Sequence, residues 1–181
     1  MKKILIIIFI MLSFLNKGNA NYDQLAHDFN FQGIDGNKID LNEYKNKVIV
    51  IVNVASRCGF TNQYKDLQNL WTKYNDRNLV VIGVPTNNFK QEPGSNKDIK
   101  DFCETNFNIN FPLTEKINVI GTQAHPFFKW AKKNHGNSAV PKWNFHKIII
   151  GKNGKIVDTF ASITKPSSKR FINLIESQIK N

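Results

Sequence analysis

The sequence contains only two cysteines, Cys58 and Cys103, and no C-x-x-C pair. That excludes a disulfide-dense scaffold and a structural zinc site built from cysteine alone. It also removes the vicinal dithiol on which thiol–disulfide exchange enzymes depend. The four histidines (His27, His125, His135 and His146) show no metal-ligand spacing, so no metal is expected. Carboxylates are scarce: Asp+Glu 14 against Lys+Arg 25 leaves +11, which excludes an acidic buffering protein. Internal repeats and low-complexity linkers are absent, so nothing divides the chain internally. No stretch interleaves Lys or Arg with aromatics as a nucleic-acid platform does. The basic charge therefore reads as a solvated lysine surface, with a weak attraction to anionic membrane surfaces.

Long apolar runs are confined to the start of the chain. Lys2 and Lys3 precede Ile4 to Leu15, apolar except for Ser13, and Gly18-Asn19-Ala20 ends in small residues of the kind a signal peptidase reads. A spanning helix needs roughly 20 apolar residues, and this run is shorter. No cysteine near the cleavage point offers a lipid attachment site. Residues 1–20 are expected to be a cleavable signal peptide, with an uncleaved N-terminal anchor as the alternative. Residues 21–181 then form a single domain, exported, in a bacterium to the periplasm. Loss of Lys2, Lys3 and Lys17 would lower the charge from +11 to +8.

What remains is a chain with 41% hydrophobic residues, enough for one buried core. The turn Asp35-Gly36-Asn37 inside Phe29 to Asp40 predicts a small N-terminal hairpin. Lys47 to Val54 (KVIVIVNV) and Leu79 to Val84 are β-branched runs, the mark of strands buried on both faces. Between them Tyr64, Leu67, Leu70, Trp71 and Tyr74 recur at helical spacing. Ser95-x-x-Asp98 has the form of a helix start, and Ile99, Phe102, Cys103 and Phe107 give that helix an apolar face. A shorter helix is expected near Pro126 to Lys133. Phe145 to Ile150 and Lys155 to Phe160 flank the Asn153-Gly154 step of a hairpin, and Pro166 is expected to open a last helix. The pattern is α/β: a central mixed β-sheet flanked by helices.

Cys58 sits just beyond the first buried strand, in NVASRCGFT, shortly before a helix. In an open α/β sheet the loop at a strand's carboxyl end is where ligands bind. Backbone N–H groups, the positive end of the following helix and Arg57 would all favour the thiolate, the nucleophilic form. The plainer reading is an inert buried cysteine, packing as a small hydrophobe. Cys103 reads from its position as a core residue or as half of a structural disulfide. Gln91, in GVPTNNFKQEP, could donate amide hydrogens to a thiolate or a peroxide oxygen. Trp143 and Asn144 supply an indole N–H and a side-chain amide, although singly each is as readily a loop or core residue.

Together, NVASRCGFT, GVPTNNFKQEPG and WNFHK resemble, in order and spacing, the glutathione peroxidases, in particular the monomeric, cysteine-containing members. The resemblance runs from about Asp28 to the last helix. It implies a thioredoxin-like fold, Cys58 as the peroxidatic residue, and Gln91, Trp143 and Asn144 around it. It also implies Cys103 as the resolving cysteine, since NKDIKDFCETNF resembles the resolving segment of thioredoxin-dependent members. No cofactor is implied. The implied partners are a hydroperoxide and a thioredoxin-like reductant or glutathione. No long insertion separates Trp130 from Trp143, which favours a monomer. One departure bears on the site: only Lys90 lies between Phe89 and Gln91, one residue fewer than in the family loop, which would displace Gln91. Two readings from other classes remain. One is a thiol–disulfide oxidoreductase. The other is an exported thioredoxin-like binding module in which Cys58 and Cys103 form a fixed disulfide.

Overall fold

The computed structural model describes residues 22–181, and the signal-peptide expectation lies outside the described residues. After a 3-10 turn at Ala26–Asp28, β1 (Asn30–Gln32) and β2 (Lys38–Asp40) pair antiparallel across Gly36, whose φ of 80° suits glycine. A second 3-10 turn covers Leu41–Tyr44. The main sheet contains β3 (Val48–Val54), β4 (Leu79–Pro85), β5 (Lys147–Ile150) and β6 (Ile156–Phe160), in the order β4-β3-β5-β6. The helices are α1 (Gln63–Tyr74), α2 (Asn96–Phe107), α3 (Pro126–His135) and α4 (Lys169–Lys180). This is the mixed α/β sheet, with its N-terminal hairpin, that the pattern predicts.

The two β-branched runs form the centre because they can be buried on both sides. β3 and β4 pair in parallel from Val48↔Leu79 to Val54↔Pro85, and every residue of both is buried. Side chains alternate across the pleat. Val48, Val50 and Val52 pack with Leu67, Ile99 and Phe171 of α1, α2 and α4. Ile49 and Ile51 pack with Phe127 and Ala131 of α3 and with Phe31 and Ile39 of the hairpin. Gly83 of β4 leaves room for Leu113: a Cβ there would lie 2.5 Å from Leu113 Cδ2. Gly83→Ala is expected to cost about 2 kcal/mol through overpacking, read as a lowered urea midpoint.

Local signals decide most boundaries. Ser95 accepts from Asp98 N and Asp98 accepts from Ser95 N at 2.9 Å, the reciprocal box anticipated at the start of α2. Two expectations need correction. Pro166 does not open the last helix. The Ser168 N–H closes a turn on Lys165 O at 3.0 Å, and α4 begins at Lys169 with Ser168 as its N-cap residue. Phe145 has φ 63° and lies outside the strand, so β5 starts at Lys147 rather than at Phe145.

Strand direction determines what meets what. β5 runs antiparallel to β3, and β6 antiparallel to β5. The chain leaving β3, the chain leaving β4, the chain entering β5 and the chain leaving β6 therefore gather at one end of the sheet. Those four segments hold Cys58, Gln91, Trp143-Asn144 and Ser162-Ile163. Among the described residues, no helix is long and apolar enough to cross a membrane.

Candidate active site

Cys58 lies in the turn that joins β3 to α1, 8% exposed. Thr61, where a dithiol enzyme would carry its second cysteine, holds this turn. Its hydroxyl accepts from Cys58 N at 3.0 Å and lies within hydrogen-bonding distance of the carbonyls of Ala55, at 3.0 Å, and Cys58, at 2.7 Å. The Phe60 N–H points at Cys58 Sγ, 3.4 Å away, a backbone dipole aimed at the sulfur. A Cβ on Gly59 would meet nothing within 4 Å, so the approach beside the sulfur is open. Arg57 is exposed, and its backbone N–H donates to Gln91 O at 3.1 Å, tying the cysteine turn to the loop after β4.

Gln91 and Asn144 are brought together directly: Asn144 Nδ2 donates to Gln91 Oε1 at 2.9 Å. The short loop does not carry Gln91 away from Asn144, and Lys90 takes a left-handed φ of 59° there. Asn144 is fully buried, yet its Oδ1 has no hydrogen-bond partner among the described residues. Trp143 is 42% exposed, its ring packed on Phe89 with centroids 5.5 Å apart. Its carbonyl accepts from Asn53 Nδ2 at 3.1 Å, and the same Asn53 accepts from His146 N through Oδ1 at 3.1 Å. One buried amide at the end of β3 thus fixes the segment carrying both Trp143 and Asn144.

Cys103 shares a core cluster with Cys58 but makes no hydrogen bond to Cys58, Gln91, Trp143 or Asn144 among the described residues. It is fully buried on the inner face of α2, and both cysteines are free thiols. Burial pushes the Cys103 thiol up to about 12, with the Tyr64 hydroxyl opposing and Glu92 adding to the rise. Tyr64 Oη faces this thiol without a hydrogen bond of good geometry to any described residue. A thiol in that state is neither nucleophilic nor accessible in this conformation.

Sequence reasoning passed over two buried groups that frame the site. Glu92 follows Gln91 in the quoted KQEPG run, but its partners could not be read there. Its carboxylate accepts from Ser56 N at 2.7 Å and Ser56 Oγ at 3.0 Å, two residues before Cys58. Burial raises its pKa. Lys147, fully buried in β5, donates to Gln63 Oε1 at 2.5 Å and Thr164 O at 2.6 Å, while Gln63 Nε2 donates to Ser162 O at 2.6 Å. This clamp joins the first turn of α1 to the chain leaving β6. The only sequence signal was a lysine inside an apolar strand.

His146, beside this site, is expected to make the fold acid-sensitive. Burial, with Lys147 and Lys142 nearby, lowers its pKa to about 4, so it is neutral when folded. Between the ordinary histidine value and about 4 the unfolded chain binds the extra proton, so stability falls as pH drops through that window. In His146→Phe the slope of urea-unfolding stability against pH between about 6.5 and 4 is expected to flatten relative to wild type. Among the described residues, no cluster of His, Cys, Asp and Glu could hold a metal ion.

A cysteine presented at the carboxyl end of a central strand, in a mixed sheet covered by helices, defines a thioredoxin-like protein with a one-cysteine site. The comparisons with known proteins are more specific. The glutathione peroxidase family model matches residues 26–132, more than half of the chain. The hydroperoxy fatty acid reductase gpx1 of Synechocystis sp. is 41% identical over 156 residues, covering 81% of this chain and 92% of the relative. The glutathione peroxidase-like peroxiredoxin 2 of Saccharomyces cerevisiae is 43% identical over 147 residues, covering 78% and 90%. The crystal structure of Trgpx in apo form superposes with TM-score 0.68 at 36% identity, covering 88% of this chain and 97% of that one. The chain belongs to the glutathione peroxidase family and is a peroxidase, an oxidoreductase.

Proposed function

We propose that the chain reduces hydroperoxides through Cys58, with Gln91, Trp143 and Asn144 as the groups that receive the peroxide, and that Cys103 resolves the product. The observation that carries this reading is the Asn144 amide: buried, bonded to Gln91 on one side, and with an unpaired acceptor on the other. Buried polar atoms are normally satisfied, so Asn144 Oδ1 is an acceptor left ready for a donor; closed to solvent here, it meets a hydroperoxide O–H once the side chains over it move aside. The names of the relatives, a hydroperoxy fatty acid reductase and a peroxiredoxin, support the substrate class.

In this reading the Cys58 thiolate attacks one peroxide oxygen. An S–O bond forms, the O–O bond breaks, and the leaving alkoxide or hydroxide takes a proton to become an alcohol or water. The Phe60 N–H and the Gln91 amide stabilise the charge that develops. Cys103 then attacks the sulfenic acid. An S–S bond forms, the S–O bond breaks, and the hydroxyl leaves as water with the Cys103 proton. Because Cys103 is fully buried, this step requires local opening of α2. A thioredoxin-like dithiol or glutathione supplies the two electrons that restore both thiols. Export by residues 1–20, action as a monomer and a weak attraction to anionic membranes belong to the same proposal. They rest on the N-terminal pattern, the absent insertion and the +8 charge left once Lys2, Lys3 and Lys17 are removed from +11.

Intact mass tests the cycle. Pre-reduced protein treated for seconds with one equivalent of hydrogen peroxide is expected to lose two hydrogens, while Cys103→Ser gains one oxygen instead. An unchanged mass in the wild type overturns the proposal.

A further inference from the structure

Ile163, 77% exposed, and Trp143, 42% exposed, are the two large apolar side chains left open to solvent among the described residues. Both lie at the end of the sheet that holds Cys58. A cleft of about 280 Å³ lies between their segments, with Lys142 on one wall, Ala161 and Ser162 on the other, and the buried His146 lining it. Trp143 follows Lys142 and Ile163 follows Ser162, so each stands one residue from a wall. A lone exposed isoleucine needs no explanation on a mobile loop. This one is held on both sides: Ser162 O accepts from Gln63, Thr164 O accepts from Lys147, and Thr164 N donates to Ala161 O at 3.0 Å. The fold holds an apolar side chain in water at a fixed place.

The charge around it is one-sided. The charged side chains on and beside the two segments are mostly basic: Lys142 on one, Lys165, Lys169 and Arg170 on the other, against Asp66, which accepts from Ser167 Oγ at 2.9 Å, and Asp158, 3.7 Å from Arg170. Lys142, Lys165 and Lys169 are exposed and join no ion pair among the described residues. An apolar centre with a predominantly basic rim complements a surface with an apolar centre and an acidic rim.

We propose that this surface docks the protein that re-reduces the enzyme: a dithiol protein whose redox site is ringed by acidic residues, with its apolar contact seated between Trp143 and Ile163. The inference rests on the peroxidase reading above. One thiolate of the docked partner attacks a sulfur of the Cys58–Cys103 disulfide and releases the other as a thiol. The partner's second thiol then breaks the mixed disulfide. The partner leaves oxidised, and two electrons and two protons have passed to Cys58 and Cys103.

The test compares a reduced bacterial thioredoxin of acidic isoelectric point with dithiothreitol, each reducing peroxide-oxidised protein in stopped flow. In Ile163→Glu/Lys142→Glu, both sites being exposed, the ratio of the thioredoxin rate to the dithiothreitol rate is expected to fall at least about tenfold. For the wild type, the thioredoxin rate is expected to fall with added salt while the dithiothreitol rate does not. A ratio within about twofold of wild type, or a wild-type thioredoxin rate indifferent to salt, overturns the docking surface and leaves the peroxidase reading standing. A wild type that peroxide does not oxidise overturns the peroxidase reading itself, and this surface with it.

Discussion

Cys58→Ser is expected to lower hydroperoxide turnover by at least about a thousandfold while leaving the protein folded. A serine hydroxyl is not ionised near neutrality and forms no stable equivalent of sulfenic acid, so both the attack and the storage of the oxidising equivalent are lost. The fold should tolerate the change because the side chain is replaced by a slightly smaller one in a turn held by Thr61, and the Phe60 N–H can donate to the serine oxygen as it does to sulfur. Steady-state turnover with a dithiol reductant measures the loss, and an unchanged unfolding midpoint shows that it is chemical. Retention of more than a tenth of wild-type activity would place the reacting sulfur elsewhere.

Lys147→Ala carries the largest stability prediction. Truncation removes the donors to Gln63 Oε1 and Thr164 O and leaves a cavity in the core, each effect worth about 1–3 kcal/mol. Against this, the mutation relieves a buried amine whose pKa burial has lowered to about 7. The net loss is expected to be about 3 kcal/mol, a fall of roughly 6–12 °C in Tm for a domain of this size. The pH dependence identifies the cause. Between about 7 and the ordinary lysine value the unfolded chain holds a proton that the folded chain lacks, so wild-type stability rises with pH across that window. Lys147→Ala should lose this rise. A loss below about 1 kcal/mol with the slope intact would show the clamp to be idle.

Much of this was legible because the deciding signals are local. KVIVIVNV can only be a strand buried on both faces, Ser95 and Asp98 cap each other within one turn, and Asn153-Gly154 sits in a two-strand connection. A cysteine after such a strand, followed by a helix, falls at the sheet's carboxyl end whatever the loop details. Pro166 misled because a proline is as comfortable in the turn before a helix as at its first position, and a turn closed by Ser168 N–H on Lys165 O comes between it and α4. Lys147 and Gln63 are 84 residues apart, and their bond depends on strand order and direction, which periodicity does not encode. The partners of Glu92 were hidden for the same reason. The effect of the shortened loop before Gln91 turned on a single left-handed residue, Lys90, and no pattern of residue types announces that.

The burial of Cys103 has a kinetic consequence in the proposed cycle. Attack on peroxide is second order, so it accelerates as peroxide accumulates. The opening of α2 is unimolecular and does not. At low peroxide every sulfenic acid waits long enough to be captured by Cys103. At high peroxide a second oxidant molecule can arrive before the helix opens, and Cys58 passes irreversibly to the sulfinic acid. In that proposed cycle the packing of Cys103 against Tyr64 and its neighbours on α1 would act as a clock. The tighter the helix is held, the lower the oxidant concentration at which the enzyme inactivates itself.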